Sequence, residues 1–270
     1  MLNFRKLEKM GYLKYLESNP FHLELGVDLE EYLKSTPRIH SKKSTSPYYY
    51  FNLSNISPYP PELDDLIRLH YLITSRKVTT ILEFGVGFST KVMDHAISLN
   101  KKKLGALVSA NLRRSNPFEL HAVDNSKKWI KETKKRYQFE NSSIHYSKCV
   151  TSTFNDRICT FYKTIPNICP DFIYLDAPDQ FDVNGTIRGI STRHEDRMPM
   201  AADLLAIEHF LLPGTLIAVD GRSANARFLK SNFQRNWVYT YFKNFDQHFF
   251  ELNEVPLGIW NEKQLNLSRK

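Results

Sequence analysis

From Val78 to Asp220 the chain alternates short apolar runs with amphipathic stretches. That alternation predicts a parallel sheet covered by helices. The run "VTTILEFG" reads as a buried strand and "STKVMDHAISLN" as the helix after it. "FELHAVD" gives a second strand and "SKKWIKETKKRY" its helix; "SSIHYSKCV" gives a third strand and "DFIYLDAP" a fourth. "MPMAADLLAIEHF" reads as a helix, and the Pro-Gly turn in "LLPGTLIAVDGR" leads into a fifth strand. "WVYTYFKNF", "HFFELN" and "VPLGIW" are β-rich and aromatic, as an antiparallel edge would be. Upstream, "PELDDLIRLHYLITSRK" predicts a helix. Pro61 suits its first turn, Glu62, Asp64 and Asp65 its positive end, and Leu63, Leu66, Ile67 and Tyr71 recur at helical spacing.

The expected fold class is therefore α/β: a doubly wound, mostly parallel seven-stranded sheet with helices on both faces and an antiparallel C-terminal edge. Residues 61–270 would form this domain. Residues 1–60 would form an N-terminal helical and loop extension, with an amphipathic start in "MLNFRKLEKMGYLKYLESNP" and a short helix in "DLEEYLKST". A long polar connector follows, in which Tyr48, Tyr49 and Tyr50 either pack on the domain or line a substrate mouth.

Composition narrows the class. The 270 residues are 41% hydrophobic and 24% charged, enough apolar material for one large soluble α/β unit plus an extension. No apolar run reaches the ~18 residues of a membrane span, and the N-terminus has no signal-peptide core. Three cysteines without CxxC spacing argue against a disulfide framework or a zinc cluster, so the cytoplasm is the expected compartment. The net charge of +8 is concentrated in "NKKKLG" and "SKKWIKETKKRY", which read as solvated helix faces. Nucleic acid is thus disfavoured as a partner, and a small, anionic substrate in a basic pocket is the expectation the charge adds. A homodimer is compatible with the sequence.

The chemistry begins at "ILEFGVGFST". Gly85 and Gly87 end the first strand, where backbone must turn tightly beside a ligand. A dinucleotide fingerprint would place a third glycine at position 90, which is Thr90. Glu83 precedes the glycines, awkward for a pyrophosphate but suited to an amino group, and Asp124 ends the second strand, where it can take ribose hydroxyls. Together these residues resemble the class I, Rossmann-like S-adenosylmethionine-dependent methyltransferases, with the small-molecule O-methyltransferases nearest in pattern. Their first motif is matched by Glu83, Gly85, Gly87 and Ser89, their second-strand acid by Asp124, and their Leu-x-Pro-Gly-Gly element by "LLPGTLIAVD" with Thr215 for the second glycine. From Gly87 to Asp124 is 37 residues (124 − 87), and "ALVSAN" is the other candidate for the second strand.

What the resemblance implies is a donor site for S-adenosylmethionine at Glu83, Gly85, Gly87, Ser89, Asp124 and Asp176. It also implies acids after the fourth and fifth strands, Asp176 and Asp220, that could share Mg²⁺, Mn²⁺ or Ca²⁺ and lower the pKa of a substrate hydroxyl. Gly221 stands where a further ligand is common, and Asp220 reads equally as a cap of its loop or a partner for Arg222. The polar stretch "DQFDVNGTIRGISTRHEDRMPM" reads as the substrate loop, with His194 as the base if no metal operates and Arg188, Arg193 and Arg197 as clamps for an anion. His194 beside Glu195, and the arginines beside Glu195 and Asp196, read equally as solvated ion pairs. "DAPDQF" matches only part of the Asp-Pro-Pro-aromatic motif of adenine N-methyltransferases. The expected function is methyl transfer to oxygen of a small polar metabolite, such as a sugar, a sugar conjugate or a phosphorylated compound. The rivals are a nucleic-acid or protein methyltransferase, and a non-catalytic nucleotide-binding domain.

Overall fold

The structure, a computed structural model, describes residues 4–35 and 61–269. Tyr48, Tyr49 and Tyr50 lie outside the described residues. Seven strands form one sheet: β1 (Thr80–Phe84), β2 (Glu119–Asp124), β3 (Ser142–Tyr146), β6 (Phe172–Leu175), β7 (Leu216–Asp220), β8 (Trp237–Phe242) and β9 (Gln247–Leu252). Their order is β3-β2-β1-β6-β7-β9-β8. The first five are parallel, and β9 and β8 close the sheet antiparallel. A separate hairpin, β4 (Cys149–Phe154) with β5 (Arg157–Tyr162), stands outside it. The expected α/β sheet with its antiparallel edge is what the chain forms.

The sheet reads as continuous apolar runs because both faces are buried. Ile81, Leu120, Phe172, Leu216 and Phe249 face one core. Their neighbours Leu82, Val123, Ile173, Ile217 and Phe250 face the other. The first core is covered by α5 (Leu63–Ser75) and α6 (Phe88–Asn111), together with α1 (Arg5–Met10), α2 (Tyr12–Ser18) and α3 (Phe21–Glu24). A buried relay fastens this layer: Tyr15 Oη lies 2.8 Å from His70 Nδ1, and His70 Nε2 lies 2.9 Å from His95 Nδ1. A short helix, α4 (Leu29–Ser35), follows. The second core is covered by the hairpin, α8 (Asp203–Ile207) and α9 (Ser223–Asn232). The remaining helices are α7 (Lys127–Arg136), between β2 and β3, and α10 (Gly258–Arg269) at the end.

One alternative is excluded and three local expectations are corrected. "ALVSAN" is not a strand: α6 runs unbroken for 24 residues through it. Asn100 ties that helix to α5 by donating to the carbonyls of Ile73 and Val78, and Val108 is buried, so burial of one face overrides the strand propensity. Asp124 therefore closes β2. "SSIHYSKCV" is two elements, because β3 stops at Tyr146 and Cys149 opens the hairpin. The helix in "MPMAADLLAIEHF" is shorter than expected, since Met200 and Ala202 hydrogen-bond along Thr160 of β5 before α8 begins. "VPLGIW" is a loop entering α10, where Asn261 Oδ1 accepts from Leu257 N and Asn261 Nδ2 donates to the Pro213 carbonyl.

One carboxylate anchors the lower end of the sheet. Asp171 accepts from the backbone N–H of Thr79 and Thr80 (2.7 Å for the latter), from Thr79 Oγ1 at 2.7 Å and from Gln264 Nε2 at 3.1 Å. Asp171→Ala should cost about 2–3 kcal/mol, because buried donors lose their acceptor. Thermal denaturation should show a midpoint lower by roughly 5–10 °C. An unchanged midpoint would refute this role.

Candidate active site

The site forms where β1, β2, β6 and β7 end, the place where parallel sheets of this kind take ligands. After β1 the backbone turns at Gly85 with φ +117°, a conformation that disfavours a side chain. A Cβ at Gly85 would stand 3.5 Å from Ala177 Cβ. Gly87 precedes α6, and its N–H donates to Thr90 Oγ1 at 3.0 Å. Thr90 thus closes the turn from the position where a dinucleotide fingerprint has glycine, a role that the absence of that glycine did not reveal. Glu83 lies beneath the turn, fully buried, with Oε1 accepting from Ser89 Oγ at 2.5 Å and Oε2 without a partner in the structure. Burial pushes its pKa up to about 8, against the hydroxyls of Ser89 and Thr90 that favour the ionised form.

Above this turn is a cavity of about 890 Å³. Gly85, Gly87 and Ser89 line it from β1, and Asp124 and Trp129 from the β2 side. Asp124 accepts from Ser126 N at 2.6 Å, and burial lifts its pKa to about 6. From β6 and β7 come Tyr174, Asp176, Asp220 and Arg222, and the far end is formed by Phe245 and Asp246 with the start of α5. Asp220 Oδ2 accepts from Tyr174 Oη at 2.7 Å. Burial, with the charge of Asp176 adding to it, raises Asp220 to about 7. The Asp176 side chain is 54% exposed, and its carboxylate is paired with Arg222.

Six of the expected residues, Gly85, Gly87, Ser89, Asp124, Asp176 and Asp220, therefore share one cavity, with Glu83 just below it. His194 and the three arginines are not among its lining residues. Their segment is tied to itself. His194 has a half-exposed side chain and accepts at Nδ1 from Asp196 N. Arg193 donates to the Val183 carbonyl, Arg197 to the Ser191 carbonyl, and Arg188 sits in the turn closed by Ile187 and Ile190. Arg222 is not the partner of Asp220. Its Nη2 donates to the Asp176 carbonyl at 2.7 Å and its Nε approaches Asp176 Oδ1 at 3.4 Å. Tyr174 was legible in principle, two residues before Asp176 and hence on the same strand face.

The donor set at Asp176 and Asp220 does not fit a built divalent-cation centre. A guanidinium occupies the neighbourhood of one carboxylate and a phenol hydroxyl engages the other. Among the described residues, the group of three acidic ligand atoms close enough to share an ion is Glu62, Asp64 and Asp65 instead. No helix among the described residues is long and apolar enough to cross a membrane.

No protein-family model matches the chain, and no curated protein matches it. Solved structures similar to it include an S-adenosylhomocysteine-bound methyltransferase, PaMTH1, of Podospora anserina. It is 11% identical, with 73% of this chain and 80% of that chain covered and a TM-score of 0.44. The O-methyltransferase TomG of Streptomyces achromogenes, in complex with S-adenosylmethionine, is 14% identical over 77% of this chain and 86% of its own, with a TM-score of 0.39. An O-methyltransferase of Bacillus cereus is 12% identical over 84% and 97%, with a TM-score of 0.40.

Proposed function

We propose that the chain is an S-adenosylmethionine-dependent methyltransferase acting at oxygen of a small polar molecule. One observation carries the reading: the glycine turn after β1 and the acid closing β2 open onto one end of a cavity whose middle holds a carboxylate pair. When bound, the donor supplies an electrophilic methyl group. Gly85 and Gly87 let the backbone approach it, Ser89 and Glu83 hold the floor of the turn, and Asp124 takes ribose hydroxyls. The acceptor lies toward β7, where Asp220 removes its proton during in-line displacement. Burial of Asp220, with the neighbouring charge of Asp176 adding to it, makes Asp220 basic near neutrality, and Arg222 fixes Asp176. The divalent ion implied for Asp176 and Asp220 has no step in this route, and His194 has none because it lies off the cavity.

The reading is tested by calorimetry with S-adenosylhomocysteine. Saturable one-site binding is expected, weakened at least about tenfold by Gly85→Val, since a β-branched side chain in a positive-φ turn costs ~1–3 kcal/mol. Absence of binding to both S-adenosylhomocysteine and S-adenosylmethionine would remove the reading.

A further inference from the structure

Histidines fasten the N-terminal layer to the domain, and each of their hydrogen bonds has a fixed direction. Tyr15 Oη of α2 lies 2.8 Å from His70 Nδ1 of α5, and His70 Nε2 lies 2.9 Å from His95 Nδ1 of α6. At the far end His95 Nε2 faces Glu24 Oε1 of α3 at 3.6 Å. Lys91 of α6 holds the other oxygen of Glu24 at 2.7 Å. A carboxylate only accepts, so His95 Nε2 carries its ring's proton and Nδ1 is left as an acceptor. His70 Nε2 must then donate, which leaves His70 Nδ1 to accept from the Tyr15 hydroxyl. The relay is complete while both rings are neutral. A further proton on His95 Nδ1 would set two N–H groups against each other. One on His70 Nδ1 would leave the Tyr15 proton without that acceptor.

The surroundings disfavour such a proton. His70 is fully buried, with the Phe21 ring of α3 stacked on it at 4.8 Å. A third histidine, His22 of α3, is buried with Nδ1 unpartnered. Burial holds all three imidazoles below their ordinary pKa, His70 well below it. From α6, Lys91, Lys102 and Lys103 oppose protonation. Asp94 of α6 favours it but is committed to the N–H groups of Glu140 and Asn141 and to Ser142 Oγ. From α3, Glu24 favours it and is paired with Lys91. From α2 and α5 come the neutral Tyr15, Tyr71 and Thr74. An imidazole whose folded pKa lies below its unfolded value of ~6.5 contributes stability above that value. It loses that stability as pH falls through the folded pKa, by up to about tenfold in the equilibrium per pH unit.

We propose that α2 and α3 form an acid-released cover, docked on α5 and α6 while His22, His70 and His95 are neutral and detached when they take up protons. The helices concerned have seven and four residues, too short to persist once their contacts are lost. The central strands β1, β6 and β7 contain no histidine, so the middle of the sheet outlasts the cover. His145 and His248, also held low by burial, belong to β3 and β9, outside that central group. Release uncovers α6, the helix that starts at the glycine turn and carries Ser89 and Thr90.

The experiment is amide hydrogen exchange on the full chain between about pH 7.5 and 5, with rates corrected for the chemical effect of pH. Protection of α2 and α3 should fall about a hundredfold or more between pH 7 and 5, while β1, β6 and β7 keep theirs. His95→Asn keeps an acceptor for His70 without a titratable ring, and His22→Phe removes the unpartnered nitrogen. In the variant with both changes the loss should be at least about tenfold smaller. Equal loss in the parent and this variant overturns the assignment to these histidines. Constant protection of α2 and α3 down to pH 5, or its loss together with that of the central strands, overturns the cover. If the variant is already open at pH 7.5, histidine NMR of the parent decides. His70 and His95 should then take up protons in step with the loss of protection, and protonation without that loss overturns the proposal.

Discussion

Asp220→Asn should lower kcat about a hundred- to ten-thousand-fold, the range lost when a positioned general base is removed, while KM for the donor changes little. The parent kcat should rise with pH and level off above about 7, because Asp220 acts only when ionised and its pKa is raised to about 7. In the variant that limb should vanish, leaving a low, flat rate. Exhaustive chelation should leave the parent's limb in place, since the carboxylate and not a metal-bound oxygen takes the proton. A variant with parental kcat and an unchanged pH profile would exclude Asp220 as base.

The same substitution should stabilise the fold. A carboxyl whose folded pKa lies above its unfolded value of ~3.9 contributes stability below that value and loses it as pH rises through the folded pKa. Above about pH 7 the parent therefore holds a buried charge beside Asp176 at a cost that Asn does not bear. Asn still offers an oxygen to the Tyr174 hydroxyl. Urea unfolding at pH 8 should show the variant more stable by on the order of 1–3 kcal/mol, with the gain gone at pH 4. Lower activity joined to higher stability at pH 8 would separate a functional charge from a structural one, which a simple loss of packing would not do.

The sheet was legible because its signal is local: a strand buried on both faces is mostly apolar, and β1, all five of whose residues are buried, carries Ile81, Leu82 and Phe84 around the acid Glu83. The glycine turn at one end of the cavity was legible for the same reason, since Glu83, Gly85, Gly87 and Ser89 fall within seven consecutive residues. The β7–β9 end of the cavity was not. Glu62, Asp65, Asp220 and Asp246 come from a helix start, a strand end and a turn far apart in sequence, and only the pairing of β7 with β9 brings the last two together. Net charge does not describe the cleft, because it sums lysines on solvated helix faces with acids that the fold gathers there. The segment around His194 does not line the cavity, and its polar, irregular sequence fits the hydrogen bonds it makes to its own backbone.

Arg68→Ala should destabilise the chain by about 3–5 kcal/mol, the cost of removing one partner from a buried ion pair. Arg68 is 1% exposed and joins α5, α2, β9 and the turn between β8 and β9. Its guanidinium pairs with Asp64 and Asp65 at the start of α5, donates to Tyr12 Oη of α2 at 3.2 Å and to Gln247 Oε1 of β9 at 3.3 Å, and lies 4.0 Å from the centre of the Phe245 ring. Without it, Asp65 would face Asp220 and Asp246 across the cavity with no fixed cation behind it. The thermal midpoint should fall by roughly 10 °C or more. Arg68→Lys should recover only part, because one ammonium cannot reproduce the planar fork. The pair Arg68→Met with Asp65→Leu should be more stable than Arg68→Met alone, since it removes the stranded carboxylate as well as the cation. Additivity of those two changes would show that Asp65 does not depend on Arg68. S-adenosylhomocysteine affinity in Arg68→Lys should stay near that of the parent, because the β1–β2 end of the cavity is built without this arginine.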